Sequence, residues 1–529
     1  MITTTPFCPQ PGAEVPTTAI QVESHREVSM SEDSPIVAND EGIIFDRKSR
    51  RTLYLTGGIR REKTAKRCRS AFYDSRFRSI HIVGNSFTME ENKPGDLNGC
   101  IRQLLSFDSR PWRSIKVSGC RGDGVPYLIE SICSSNVQKV TLSLARGDEL
   151  KSIEMLSRCL TSNRSIMMLG IHNTDLSGDV CDCLARGLRS NTSLLELSLQ
   201  KSRFTEPDSS LSFANAIRFC NNIQSFSFQD CGMSDIQVYD IVSALSLSES
   251  VKDLNLSGND SCGIKASTGL SRLLQSDISQ LSSLSLCGIL LNSTYENALI
   301  EVLQSVSFSS LVCLQLSDNS LSDEIMAALS SAIRRNTNLR VLQLSWTLSS
   351  DFGVDLLADS LTENETLQKL ILHDAQISNK GLENLASRLP AVLGLKTLEI
   401  GGRQGFSESG VISVIENLKL NSNIEEISIQ TTDEYSKEIE LVTDLNRAGR
   451  RWLSHYDKSP CSLLPLILER ACKVPMPSIS GDSWWFEDQR SSFDSDVSDI
   501  IASDSVLGED RNEYERRATA LYHLIRNTL

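Results

Sequence analysis

Histidine beside aspartate, scattered thiols and abundant carboxylates are the groups that could carry chemistry in this chain. His373 adjoins Asp374, as a general base would require, but no nucleophile phrase accompanies the pair. The remaining histidines, at 25, 81, 172, 455 and 523, are dispersed. The fifteen cysteines are odd in number and form no Cys-x-x-Cys pair. Cys181 and Cys183 are the closest two, and no nearby histidine completes a metal site. Most carboxylates stand at the starts of helical runs, where capping and the helix dipole account for them. No glycine-rich phosphate loop, nucleophile-elbow serine or His-Glu-x-x-His phrase occurs. The expectation is a chain that is not an enzyme and that takes no cofactor and no metal.

Other short motifs read the same way. Arg-Gly-Asp triplets at 121–123 and 146–148 would suggest adhesion in a secreted protein. The first 24 residues, however, carry prolines at 6, 9, 11 and 16 and lack the apolar run of a secretory signal. The triplets then read as turns after strands, and the Asn-x-Ser/Thr sequons at Asn191 and Asn364 as helix ends. The cysteines read as reduced core thiols of a protein of the cytoplasm or nucleus. No apolar run approaches the roughly 20 residues that span a bilayer, and the net charge of −14 disfavours nucleic acid and anionic membrane as partners.

The elements that would position any site come from a repeat. An apolar residue, two variable ones, an apolar, one variable and an apolar recur, most clearly as Leu311, Leu314 and Leu316, followed by Asn319 and Leu321. The phrase begins at 137, 166, 194, 223, 251, 281, 311, 339, 367, 395 and 424, so the step is 28 to 30 residues throughout. Weaker copies begin at Phe77 and Trp112. Within a unit, alternation as in Leu314-Gln315-Leu316 predicts a short strand, and Ile325, Leu329, Ala332 and Ile333 share one face of a following helix. One strand and one helix cannot bury their apolar sides alone, but stacked units can. Helices are wider than the spacing of about 4.8 Å between strands, so the stack must curve with its strands inside.

This pattern resembles the leucine-rich-repeat family, in its ribonuclease-inhibitor-like class. The resemblance implies an α/β solenoid shaped as a horseshoe, with a parallel β-sheet on the concave face and α-helices on the convex face. That class prefers Asn or Cys three residues after the strand phrase. Asn85, Cys120, Cys231, Asn259 and Asn319 match, Thr174, Ser202, Thr347 and Thr432 are weaker substitutes, and Ala145, Ile289, Ala375 and Arg403 depart from it. Irregularity is expected near 401–405, where an extra residue appears.

The expected organisation is a disordered tail over 1–41, a basic cap over 42–76, the solenoid over 77–432 and a helical cap over 433–474. An acidic disordered segment follows over 475–511, then a helix over 512–529. Within the cap, residues 439–453 read as a helix carrying Leu441, Leu445 and Trp452. Arg47-Lys48 and Arg60-Arg61-Glu62-Lys63 match a bipartite nuclear-import pattern, although a solvated cap accounts for the same charges. The acidic segment holds nine acids and two bases, with Trp484, Trp485 and Phe486 as a candidate docking motif or part of a plain linker.

Strand alternation turns the variable residues of each phrase into the concave face. Early units present Lys116, Lys139 and Lys201; later ones present Asp230, Asp253, Asp318, Asp374, Glu399 and Glu426. Trp346 lies just past its strand, between Asp318 one unit back and His373 and Asp374 one unit on. Trp346, His373, Asp374, Asp318, Gln343, Gln315, Asp230 and Lys201 are therefore the candidate protein-binding residues. The expected function is a non-catalytic scaffold for a protein partner. The alternative is a small-GTPase regulator similar to the Ran GTPase activators, which share the architecture and an acidic tail. Innate-immune sensors also use such repeats, behind a nucleotide-binding domain whose phosphate loop has no counterpart here.

Overall fold

The computed structural model describes the strands Ile36–Ala38, Ile43–Asp46, Thr52–Thr56 and Ser79–Val83, residues 113–451 apart from short loop gaps, and residues 467, 470 and 471. One sixteen-stranded sheet contains the first strand and the last, Glu426–Ile429. The first three strands pair antiparallel, and from Thr52–Thr56 onward every neighbouring pair is parallel. The chain is a leucine-rich-repeat solenoid, with the sheet on its concave face and a helix behind each unit from Val125–Cys133 to Asp433–Arg447.

The repeat phrase builds a single seam. Leu284, Leu314, Leu342, Leu370 and Leu398 lie in Cα register on successive strands. Leu316, Leu344 and Leu372 follow one layer on, with exposures of 0%, 1% and 2%. The backbone ladder continues past the strands, since the Leu316 N–H donates to the Gln343 carbonyl and the Leu344 N–H to Ile371. Behind this layer, Ile325, Leu329, Ala332 and Ile333 of the helix Asp323–Arg335 are all buried. Each such leucine contributes roughly 1.5–3 kcal/mol by leaving water. Around 204–228 phenylalanines replace leucines, with Phe204, Phe213 and Phe228 in successive ring contact at 6.0 and 6.1 Å.

Three polar ladders tie the units edge to edge. In the first, the Asn319 amide donates to the Leu286 and Leu316 carbonyls at 2.8 Å and its oxygen accepts the Ile289 N–H at 2.9 Å. Ser202 does the same with a smaller group, donating to Ile171 and accepting from Thr174, whereas the Thr347 hydroxyl donates within its own unit to Leu344. The second ladder runs through helix-end asparagines. The Asn191 amide donates to the Leu160 carbonyl at 2.8 Å, and its oxygen accepts from Ser193 and Leu194. Asn191 and Asn364 are buried with their amide nitrogens engaged, so a glycan on either would break this ladder.

The third ladder reassigns the first-turn carboxylates. Asp235 accepts the Gly263 and Ala266 N–H groups of the next helix start at 2.8 and 2.7 Å, and Asp351 accepts the Ser378 N–H at 2.9 Å. These acids cap the neighbouring helix as well as suiting their own dipole.

Two local features differ from the repeat expectation. Asp175–Leu176 and Arg203–Phe204 form a separate two-stranded parallel sheet. A register shift falls in the strand Lys369–Ala375, where the three steps from Leu372 to Ala375 stand against two from Ile400 to Gly402, so the extra residue lies there and not at 401–405. The helix after the strand Glu426–Ile429 starts at Asp433 rather than 439, because Asp433 and Glu434 fill its first turn behind Thr432. Trp452 and everything beyond residue 471, including Trp484, Trp485 and Phe486, lie outside the described residues.

Candidate protein-binding face

The inner surface is built by register. Gln315, Gln343, Ile371 and Glu399 stand opposite one another on four successive strands, as do Cys313, Val341, Lys369 and Thr397. Alternation places both rows on the face opposite the buried leucines. The rows mix amide, aliphatic and charged groups, and the next inner positions are Ser317 and Ser345. Val341, Ile371 and Lys369 were absent from the sequence-based set. They have the same strand parity as Gln343, and applying that parity to apolar residues as well as charged ones finds them.

Beyond each strand the chain turns through a left-handed residue. Asn173, Lys201, Asp230, Asp318 and Trp346 have φ of 54° to 60°, and Gly258 and Gly288 occupy the same position in the units between. The geometry is shared because the N–H there continues the inter-unit ladder: Asp318 donates to the Ser345 carbonyl at 2.9 Å and Trp346 to His373 at 2.8 Å. Lys201, Asp230 and Asp318 therefore reach the rim through this turn and not through strand alternation. A Gly258 Cβ would stand 2.0 Å from the Asp230 carboxylate, so the crowded unit uses glycine. Aspartate and asparagine tolerate the left-handed region. Tryptophan is an outlier there, yet Trp346 adopts it with 51% of its surface exposed.

The charges differ from a simple acidic surface. Glu399 bridges the Lys369 ammonium at 2.6 Å and the His373 Nε2 at 2.9 Å, so it is already partnered. His373 is half-exposed beside it. Asp374 lies in the strand Lys369–Ala375, and its side chain is outside what is described. Toward the N-terminal end, His81 pairs in register with Lys116, and Ser143 with His172. Burial holds Glu196 and Asp253 above the usual carboxylate range, opposed by Lys139 and Lys252 respectively.

The basic end should be sensitive to acid. Burial, then Lys116, holds His81 below the ordinary 6.5, and burial, Lys116 and Lys139 do the same for His172. A histidine with a lowered folded pKa takes up its proton more readily when unfolded, so stability falls as pH drops through 6.5 toward the folded value. At about pH 5.5 hydrogen-exchange protection, relative to the intrinsic amide rate, should therefore fall in Ser79–Val83 and Met168–His172 before Cys313–Gln315. Uniform exchange along the sheet would remove the histidines as its cause.

Among the described residues, no group of three or more His, Cys, Asp and Glu side chains could hold a metal ion, and no helix is long and apolar enough to cross a membrane. Among the described residues the inner surface offers a broad wall with the exposed Trp346 at its rim, an arrangement suited to another macromolecule.

No family model matches the chain. It is 26% identical over 322 residues to the mouse protein named NACHT, LRR and PYD domains-containing protein 5, covering 55% of this chain and 25% of that one. It is 24% identical over 273 residues to the pig ribonuclease inhibitor, covering 46% of this chain and 59% of the inhibitor. The chain thus spans from a quarter to about three fifths of these relatives. Among solved structures, an internalin from Listeria monocytogenes aligns over 72% of this chain and 87% of its own at 16% identity, with a TM-score of 0.37. The repeat phrase and its parallel register make the chain a leucine-rich-repeat solenoid, similar in sequence to the repeats of these relatives.

Proposed function

We propose that the chain is a non-catalytic scaffold that captures a protein on its concave face, with Trp346 as the anchor. One observation carries this reading: a bulky aromatic is held, half-exposed, in a backbone conformation that neighbouring units fill with aspartate or glycine. Strain retained at an exposed position is a mark of use, and tryptophan is enriched where interfaces concentrate their energy. Gln315, Gln343, Ile371 and His373 supply hydrogen-bonding and aliphatic contacts beside the anchor, and Asp318 and Asp230 give the rim its charge. A protein partner fits the width of this wall, and the reduced thiols suit a cytoplasmic setting.

The test is a footprint. Once affinity capture with the whole chain has yielded a partner, hydrogen exchange should show protection gathered on Cys313–Gln315, Val341–Gln343 and Lys369–Ala375 and on the turns after them. Protection confined to the convex helices would overturn the assignment.

A further inference from the structure

We propose that Cys133 and Cys159 form a reactive dithiol, in which a hydroperoxide oxidises Cys159 and Cys133 then closes a disulfide between adjacent repeats. Cys133 ends the helix Val125–Cys133, and Cys159 lies in the next unit's helix, Glu149–Ser162. The two line one open cleft of about 460 Å³ with Ser134, Ser135, Asn163 and Arg164. The units are pinned beside the thiols: the Asn163 amide donates to the Cys133 carbonyl at 2.6 Å, and the Ser165 hydroxyl to the Ser135 carbonyl at 3.1 Å. Cys133 is buried and Cys159 is partly open to solvent, so a small oxidant reaches Cys159 first.

The electrostatics divide the roles in the same order. The neighbouring Cys159 thiol, with burial, pushes Cys133 well up. Cys159 is pushed down, chiefly by the neighbouring Cys133 and also by Arg158, against burial and Glu130. The thiolate is the nucleophile, so Cys159 attacks and Cys133 resolves. By contrast, burial pushes Cys181, Cys231 and Cys262 up to about 12 and Cys220 up to about 11, as inert core thiols.

With hydrogen peroxide the steps balance. The Cys159 thiolate attacks one peroxide oxygen, an S–O bond forms, the O–O bond breaks, and the departing hydroxide takes a proton to become water. Cys159 is then a sulfenic acid. Cys133 gives up its proton as its sulfur attacks the Cys159 sulfur; the S–S bond forms, the S–O bond breaks and a second water leaves. Two thiols are oxidised by two electrons and one peroxide is reduced to two waters.

The test is a peroxide titration of the full chain, followed by alkylation of remaining thiols and non-reducing peptide mapping. A Cys133–Cys159 linked peptide should appear before any oxidation of Cys181 or Cys231. Iodoacetamide should modify Cys159 at least tenfold faster than Cys181. In Cys133→Ser, Cys159 should be trapped by dimedone as its sulfenic acid and form no link. A Cys133 still free after Cys181 or Cys231 has been oxidised, or a link from Cys159 to a different cysteine, would overturn the proposal. Because the readout on the unsubstituted chain needs no variant, misfolding of Cys133→Ser would not obscure it.

Discussion

Replacing Asn364 with alanine should lower the unfolding free energy by about 3 kcal/mol. Asn364 is 6% exposed and joins two units at a helix end. Its amide donates to the Ile333 carbonyl at 2.7 Å and the Asn336 carbonyl at 3.1 Å, while its oxygen accepts from Thr366 at 2.9 Å and Leu367 at 2.8 Å. Alanine leaves all four backbone groups without this partner. An unsatisfied buried group costs about 1–3 kcal/mol, and water entering at the rim recovers part of the sum. Solenoid stability is a sum of units and nearest-neighbour interfaces, so weakening one interface should also broaden the urea transition as the halves begin to unfold separately. Exposed Ser320→Ala serves as the control and should stay within about 0.5 kcal/mol of the parent. A loss at Asn364 no larger than the control's would show that the asparagine ladder does not hold the units together.

The second large effect separates strain from use. Trp346→Gly should leave stability unchanged or raise it by up to about 1 kcal/mol, while weakening partner affinity by about 2 kcal/mol, roughly thirtyfold in Kd. Left-handed backbone costs an L-residue about 1–2 kcal/mol and glycine nothing, and glycine's greater freedom in the unfolded chain offsets part of that gain. Gly258 and Gly288 already occupy the equivalent turn, so the backbone accepts glycine there. A tryptophan kept for packing would behave oppositely, and its removal would lower the melting temperature. Thermal unfolding and a binding titration on the same preparation distinguish the two.

The parts of this molecule that were legible in advance are those determined inside one unit. Leu314 and Leu316 alternate, and Ile325, Leu329 and Ile333 share a helical face, so strand, helix and buried side follow from spacing alone. What stayed hidden belongs to contacts between units, because these depend on register and turn geometry that one unit does not contain. Asp351 looks like an ordinary first-turn acid until the next Ser378 is placed against it. Glu399 looks like a free inner carboxylate until Lys369 and His373 are set on the preceding strand. Lys201, Asp230 and Asp318 look like strand positions, yet a shared left-handed turn carries them to the rim. Ile289 departs from the asparagine pattern without harm because Asn319, one unit on, accepts its N–H. For the candidate site, Trp346 was visible as a residue type near a strand end, but the strain that singles it out needs a backbone dihedral.

Concave capture through Trp346 is tested most directly by quantitative affinity capture with the full chain, run in parallel for Trp346→Gly and Phe352→Ala. Phe352 is another exposed aromatic, 58% accessible, at the start of the convex helix Asp351–Glu363. Partner recovery should fall at least tenfold with Trp346→Gly and stay at the parent level with Phe352→Ala. Equal recovery by both variants, or loss with Phe352→Ala alone, would contradict the assignment of the concave face.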